Sequence, residues 1–546
     1  MLTQSYFSAT SDKPLVYETI GACFDRTADH FGDRDGLIVR HQNTRWTYAE
    51  YRREVDRFAA GLISLGIGKG DRVGVWAPNC YEWCLTQFAT AKLGAILVCI
   101  NPAYRIYELE FALNKSGCVA LVTAQKYLTS DYAGMVAELR DAGKLPYLQR
   151  VIAMGETPPP GMLKFAEISA RGDGHTAQLA GIAKTLSPDD AINIQFTSGT
   201  TGQPKGATLS HFNILNNGRI VAEGMRFTER DRLCIPVPLY HCFGMVMSNL
   251  ACISHGAAAV FPNDGFDAVK TLEAVQAERC TALHGVPTMF IAELEHPRFH
   301  EFDLASLRTG IMAGAPCPVE VMKRVQNDMH MKEVLIAYGQ TETSPVNHQT
   351  TKDDPLDKQV ETVGRPGPHL EIKLVDELGA VVPIGQPGEI CCRGYSVMQG
   401  YWDEPGKTAD TVDSAGWLHS GDLGVMDADG YTRIVGRLKD MIIRGGENVY
   451  PREVEEFLFT HVAVAEVQVF GVPDRKYGEQ VCAWIKLRPG HSPTEEDIRT
   501  FCKDKIAHFK VPRYVRFVEI IPMTVTGKPQ KFKMREAMVA ELRPDG

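Results

Sequence analysis

From Tyr51 to Leu65 the apolar side chains fall at Tyr51, Val55, Phe58, Leu62 and Leu65, a three-to-four spacing that places them on one face of a helix. The glycines at 66, 68 and 70 stop that pattern, and Arg72–Trp76 reads as a strand. The unit then repeats. Tyr81–Leu93 is helical, Ala95–Ile100 is a continuous apolar strand closed by Asn101 and Pro102, Ile106–Lys115 is helical and Val119–Thr123 is a strand. Strands apolar on both faces and joined by helices predict a mostly parallel, doubly wound α/β sheet. The same alternation resumes from Phe212 to about Ile336, with short apolar runs at Leu233–Pro236 and Ala257–Phe261.

The rhythm changes between about Val363 and Val435. Short strands such as Leu370–Val375 and Glu389–Arg393 alternate with turns at Glu377–Gly379, Gly385–Gly388 and Asp427–Gly430, which predicts a β-rich subdomain. Beyond Gly436 a smaller α+β pattern follows: helix Pro451–Phe459, strands Val464–Val472 and Gln480–Leu487, and helix Thr494–Lys505. Pro451 suits the first position of a helix. The expected organisation is a large N-terminal domain over 1–436, a tight joint at 437–440 and a small C-terminal domain over 441–546.

Composition narrows the class. A chain of 546 residues with 44% hydrophobic and 23% charged residues has an ordinary globular balance and room for a large core. A net charge of -9 without long single-sign runs gives no footprint for nucleic acid or an anionic membrane. Fourteen cysteines are too sparse for a disulfide scaffold and no CxxC pair marks a structural zinc, so Cys80, Cys84, Cys391 and Cys392 read as reduced core thiols. The N-terminus lacks a basic start and a long apolar core, and its first arginine is Arg26; with no run of 18 apolar residues, the expectation is a cytoplasmic enzyme with no integral membrane segment.

The apolar run Ile192–Phe196 leads into Thr197, Ser198, Gly199, Thr200, Thr201, Gly202, Gln203, Pro204, Lys205 and Gly206. Such a loop brings backbone N–H groups and hydroxyls around phosphate oxygens. It is not a Walker A loop, because Gly206 rather than Ser or Thr follows Lys205. Five further elements follow in order: Pro238–Gly244, Tyr338–Thr343, Trp417–Asp422, Gly436–Asp440 with Gly445–Pro451, and Thr526–Pro529. In order and spacing the set resembles the adenylate-forming superfamily of acyl-CoA synthetases, firefly luciferase and peptide-synthetase adenylation domains. The resemblance covers essentially the whole chain, and the segments around Tyr338 and Arg444–Pro451 look most like fatty acyl-CoA synthetases.

The resemblance implies a two-step reaction. A carboxylate is a poor electrophile, so ATP first converts it to an acyl-adenylate with loss of pyrophosphate; the thiol of CoA then displaces AMP. Thr197, Ser198, Gly199, Thr200, Thr201, Gly202 and Lys205 would meet the phosphates. Taken alone, Glu342 reads as a cap or surface acid; by its match it would hold Mg²⁺, with Thr341 on the α-phosphate. Tyr338 reads either as a core aromatic or as the adenine neighbour, beside Gly339 and the segment Gly314 and Ala315. Asp422 would accept from the ribose hydroxyls and Arg437 would contact ribose and phosphate.

His241 could be a core histidine or the family's gate between the ATP site and the acyl tunnel. Lys528 alone is a solvated charge; in its motif it would bridge carboxylate and α-phosphate, a task suited to a compact ammonium. Lys439 matches the hinge, and Gly445 with Gly446 would let the backbone approach CoA. Ala313 stands where many relatives carry glycine, which bears on pocket shape. The leading expectation is an ATP-dependent fatty acid:CoA ligase for medium or longer chains. Its alternatives are a ligase for an aryl or other non-fatty acid, and a module that loads a carrier protein. The expected partners are a carboxylic acid, ATP and CoA, with no nucleic acid and a possible homodimer.

Overall fold

The computed structural model describes residues 2–197, 204–315, 317–445, 447–503, 505–524 and 528–542. Among them the large N-terminal part holds two mainly parallel sheets. One runs in the spatial order 163–164, 150–153, 120–123, 72–76, 96–99, 191–197, 205–210 and 400–401. The other runs 365–366, 346–349, 333–339, 309–313, 282–285, 232–234, 258–261, 35–39 and 44–47. Strands Arg72–Trp76 and Ile96–Cys99 pair in parallel register from Arg72 opposite Ile96 onward, as the buried apolar runs require.

Helix Tyr48–Ser64 begins a turn before the periodic apolar residues because Thr47 and Glu50 cap it reciprocally: the Glu50 N–H donates to Thr47 Oγ1 at 3.3 Å and the Thr47 N–H to Glu50 Oε2 at 2.9 Å. Its apolar face meets helix Tyr81–Leu93, which is buried on nearly every side. Phe24 of a third helix, Ile20–Phe31, stacks on Phe88 with ring centroids 4.8 Å apart.

The parallel pattern ends where the site begins. Strand Lys205–Ser210 runs antiparallel to Ala191–Thr197, and Gly400–Tyr401 adds a second antiparallel strand beside it. The sequence pattern treats Lys205 and Gly206 as loop, yet both are paired across the sheet. A separate antiparallel sheet joins Tyr6–Ser8, Leu370–Val375, Pro387–Gly394, Leu418–Met426 and Thr432–Arg437, matching the expected β-rich subdomain.

The C-terminal part is built on strands Val464–Asp474 and Gly478–Leu487, with helix Pro451–Phe459 packed against them and Tyr514–Phe517 added in parallel. Helix Glu495–Cys502 is shorter than its pattern because Lys503 turns extended (φ -58°, ψ 134°). A final helix, Lys531–Leu542, carries no clear apolar stripe in sequence. The two parts join through a single turn at Leu438–Asp440. Across their seam Arg488 approaches Glu295 at 4.0 Å, and a small cavity of about 190 Å³ opens between Val425, Arg433, Tyr450 and Arg452. Among the described residues, no helix is long and apolar enough to cross a membrane.

Candidate active site

Strands Leu418–Met426 and Thr432–Arg437 pair so that Asp422 stands directly opposite Arg437. Arg437 Nε donates to Asp422 Oδ1 at 3.1 Å, and the Tyr338 hydroxyl donates to Oδ2 at 2.8 Å. Both oxygens of Asp422 are therefore engaged, at 9% exposure. Burial, reinforced by the neighbouring Asp422 charge, raises the Tyr338 phenol well above its ordinary value, so it stays a neutral donor. Tyr338 lies near the end of strand Glu333–Gly339, and the chain turns there through Gly339 at φ 155°. A Cβ at Gly339 would fall 1.9 Å from the Pro345 carbonyl oxygen, so only glycine fits.

That turn carries Thr341 and Glu342, each 8% exposed. Glu342 Oε1 accepts from the Tyr401 hydroxyl at 2.8 Å and from the Thr197 hydroxyl at 3.3 Å. Thr197 sits opposite Lys205 in the antiparallel pair, and the Lys205 ammonium lies 4.3 Å from the centroid of the Tyr401 ring. Thr197 and Lys205 thus bracket the glycine- and hydroxyl-rich loop on the side that faces Glu342. Ser198, Gly199, Thr200, Thr201 and Gly202 lie outside the described residues. An open cavity of about 470 Å³ along Thr208, Gln399, Tyr401, Trp402 and Glu404 borders the Tyr401 ring.

Lys528 comes to this place from the far end of the chain. Its backbone N–H donates to Thr524 Oγ1 at 2.9 Å. Lys528 is half-buried. Burial lowers its pKa, the Arg437 guanidinium lowers it further, and the carboxylates of Asp422 and Glu342 pull the other way. His241 is the next neighbour: burial, then the Lys528 charge, pushes its imidazole down to about 3. Its Nδ1 accepts from the Phe243 N–H at 3.2 Å, capping the turn Cys242–Gly244 that leads into a π-helical segment, Met245–Leu250. The charges of Lys528, Glu342, Asp422 and Arg437 and the imidazole of His241 thus influence one another, although segments remote in sequence carry them.

Of the remaining expected residues, Gly314 and Ala315 follow Ala313, which pairs with Ala337 just before Tyr338. Gly314 turns at φ 87°, beside Val286, at the end of strand Thr309–Ala313, and Ala315 follows it. Lys439 is exposed within the turn Leu438–Asp440. Gly445 turns at φ 62° against Tyr477, whose carbonyl accepts its N–H at 2.7 Å on the C-terminal sheet, away from the Glu342 cluster. Gly446 lies outside the described residues. Tyr401 escaped the sequence reading: a single tyrosine after Gly400 carries no motif, and only the short antiparallel pairing reveals its reach.

Comparison with known proteins identifies the family. The family pattern described as AMP-binding enzyme matches residues 24–402, and that described as AMP-binding enzyme C-terminal domain matches 453–528. The chain is 49% identical over 539 residues to the Bacillus subtilis (strain 168) protein YngI, covering 96% of this chain and 98% of YngI. It is 45% identical over 557 residues to the mitochondrial medium-chain acyl-CoA ligase ACSF2 of Rattus norvegicus, covering 99% of this chain and 90% of that protein. Among solved structures, the anthranilate CoA ligase AuaEII in complex with anthranoyl-AMP superposes with a TM-score of 0.86 at 28% identity, covering 97% of this chain and 99% of that one.

Proposed function

The chain belongs to the AMP-binding enzyme family, and on that premise we propose that it is an ATP-dependent, AMP-forming fatty acid:CoA ligase for medium or longer chains. The observation that carries the reading is the pair of held carboxylates, Glu342 between the Thr197 and Tyr401 hydroxyls and Asp422 between Tyr338 and Arg437. In the first step a carboxylate oxygen of the acid bonds to the α-phosphorus as the bond to pyrophosphate breaks. Lys528 neutralises charge that develops between those oxygens. Asp422, held between Tyr338 and Arg437, receives the ribose. In the second step the CoA thiol gives its proton to water, its sulfur bonds to the acyl carbon and AMP leaves with the electrons of the broken C–O bond.

The donors at Glu342 fit a hard cation. Its carboxylate is buried and its described hydrogen-bond partners, Thr197 and Tyr401, are neutral hydroxyls. Glu342 would hold Mg²⁺, which supplies positive charge to the phosphate oxygens when bound. His241, whose imidazole is held well below its ordinary pKa, precedes the apolar segment with buried Met245 and Met247, which suits a wall between nucleotide and acyl chain. The joint at 437–440 serves as a hinge between a large domain over 1–436 and a small mobile one over 441–546, carrying Gly445 to CoA after Lys528 has acted.

The test is a panel of acids followed by pyrophosphate release and by AMP formation, with and without CoA. Saturated acids of roughly six to twelve carbons should be the best substrates, each buried methylene contributing up to about 0.8 kcal/mol until the tunnel ends. Benzoate or acetate outperforming every fatty acid would assign the enzyme to non-fatty acids instead. Thioester formed only on a protein-borne thiol would assign it to carrier loading.

A further inference from the structure

We propose that Glu389, Cys391 and His419 form a binding site for one borderline-soft divalent cation of the Zn²⁺ class, outside the cluster that handles substrate. Their donor atoms all lie within 4.8 Å of one another. His419 Nδ1 is 2.8 Å from Glu389 Oε2 and 3.4 Å from Cys391 Sγ. No CxxC spacing announces the site. The antiparallel pairing of Pro387–Gly394 with Leu418–Met426 makes it, since Cys391 sits directly across from His419 and Glu389 is two residues from Cys391 on the same strand.

Three observations favour a metal over a plain hydrogen-bonded trio. The first is donor chemistry: thiolate, imidazole and carboxylate together are a zinc set, whereas Mg²⁺ or Ca²⁺ would want oxygen alone. The second is spacing. Tetrahedral bonds of about 2.0 to 2.3 Å need donor atoms roughly 3.3 to 3.6 Å apart. The sulfur–nitrogen distance of 3.4 Å already meets this, and the nitrogen–oxygen pair at 2.8 Å must open by roughly half an ångström. The third is the outer shell. Asp413 Oδ2 lies 3.9 Å from His419 Nε2, so a small movement of a side chain 38% exposed gives the carboxylate–histidine–metal arrangement that orients a ligating imidazole.

The nearest cation does not occupy the place. Lys373 pairs across the sheet from Cys391, but its ammonium rests 4.5 Å from the centroid of the Trp417 ring. Cys391 would bind as thiolate, its proton passing to water, and a water molecule would take the fourth position. Binding has a structural consequence. Glu389 Oε1 accepts the Gly421 N–H at 3.0 Å, and Gly421, at φ 72°, immediately precedes Asp422. A bound ion would brace the turn that presents Asp422. That consequence rests on the function proposed above; the binding does not.

The experiment titrates the full chain, stripped with a chelator, with Co²⁺ and then Zn²⁺. The expected result is one Co²⁺ per chain with a thiolate-to-cobalt charge-transfer band, lost when Zn²⁺ displaces it. Cys391→Ser should abolish the band, and His419→Asn should weaken Co²⁺ binding at least tenfold, each with the parent's far-UV circular dichroism. Zn²⁺ should also raise the parent's Tm and leave that of both variants unmoved. A parent that shows no band, or a band that persists in Cys391→Ser, would overturn the proposal, the latter placing the ion on one of the other buried thiols. Should Cys391→Ser fail to fold, His419→Asn at a half-exposed position decides alone: undiminished binding there also overturns it.

Discussion

Tyr401 donates its hydroxyl to Glu342 Oε1 at 2.8 Å across 59 positions of sequence. The pair joins the short antiparallel strand at Gly400–Tyr401 to the turn that carries the carboxylate proposed to hold Mg²⁺, and the ring of the same tyrosine underlies Lys205. Tyr401→Phe keeps the ring and removes only the hydroxyl. A hydrogen bond to a charged group is worth about 1.5 kcal/mol at the lower end, so the half-saturating Mg²⁺ concentration should rise about tenfold while the protein stays folded. An unchanged Mg²⁺ dependence would mean that the bond does not orient Glu342.

The alkaline limb of adenylation should report Lys528. Burial and Arg437 lower its pKa from 10.5, so the ammonium is lost earlier than for a free lysine as pH rises. The rate of acyl-adenylate formation should fall through a midpoint below 10.5, and Lys528→Arg should move that limb upward even where it lowers the plateau. A limb that stays in place in Lys528→Arg belongs to some other group.

Three buried histidines and the half-buried His241 make the fold acid-sensitive. His241, His284 and His348 are pushed down to about 3 and His211 to about 4, each chiefly by burial. Their folded pKa values lie below the unfolded value of 6.5, so the unfolded chain binds more protons as pH falls. Stability is whole above about 6.5 and is lost below it, by about 1.4 kcal/mol per pH unit for each histidine that titrates only when unfolded. The denaturant midpoint should therefore drop between pH 7 and pH 5, and His211→Gln should make the drop shallower. A midpoint that rises toward pH 5 contradicts this.

The hinge reading is tested at Lys439, which is exposed and makes the turn between the two parts. Proline there fixes φ near roughly −65° and removes the freedom a rotation needs. Lys439→Pro should still release pyrophosphate in a single turnover and lose most thioester formation. Transfer to CoA at the parent rate would show that the joint does not rotate.

Much of the scaffold is legible in the apolar pattern. Strands Arg72–Trp76 and Leu370–Val375 and helices Tyr81–Leu93 and Pro451–Phe459 lie where the sequence places them, because burial on both faces or a proline start leaves a local signature. Lys205–Ser210 does not: Gly206 and the hydroxyls read as loop, and the strand exists because Phe196 and Tyr401 flank it in space. The site divides in the same way. Asp422, Glu342 and Lys528 are recognisable from their motifs, but the Asp422–Arg437 pair depends on hairpin register and Tyr401 on a two-residue strand. The Cys391–His419 juxtaposition likewise arises from pairing between strands, which no local window contains.

The central claim is that Lys528 acts on the charge formed at the α-phosphate and on nothing else. The most direct measurement is single-turnover kinetics of both half-reactions in Lys528→Ala, with a medium-chain fatty acid and ATP for the first and supplied acyl-adenylate with CoA for the second. The first should slow by roughly 10²- to 10³-fold, the usual loss for one transition-state charge partner. The second should change little, because no new phosphate charge forms there. Equal damage to both half-reactions would make Lys528 a structural residue and contradict the account.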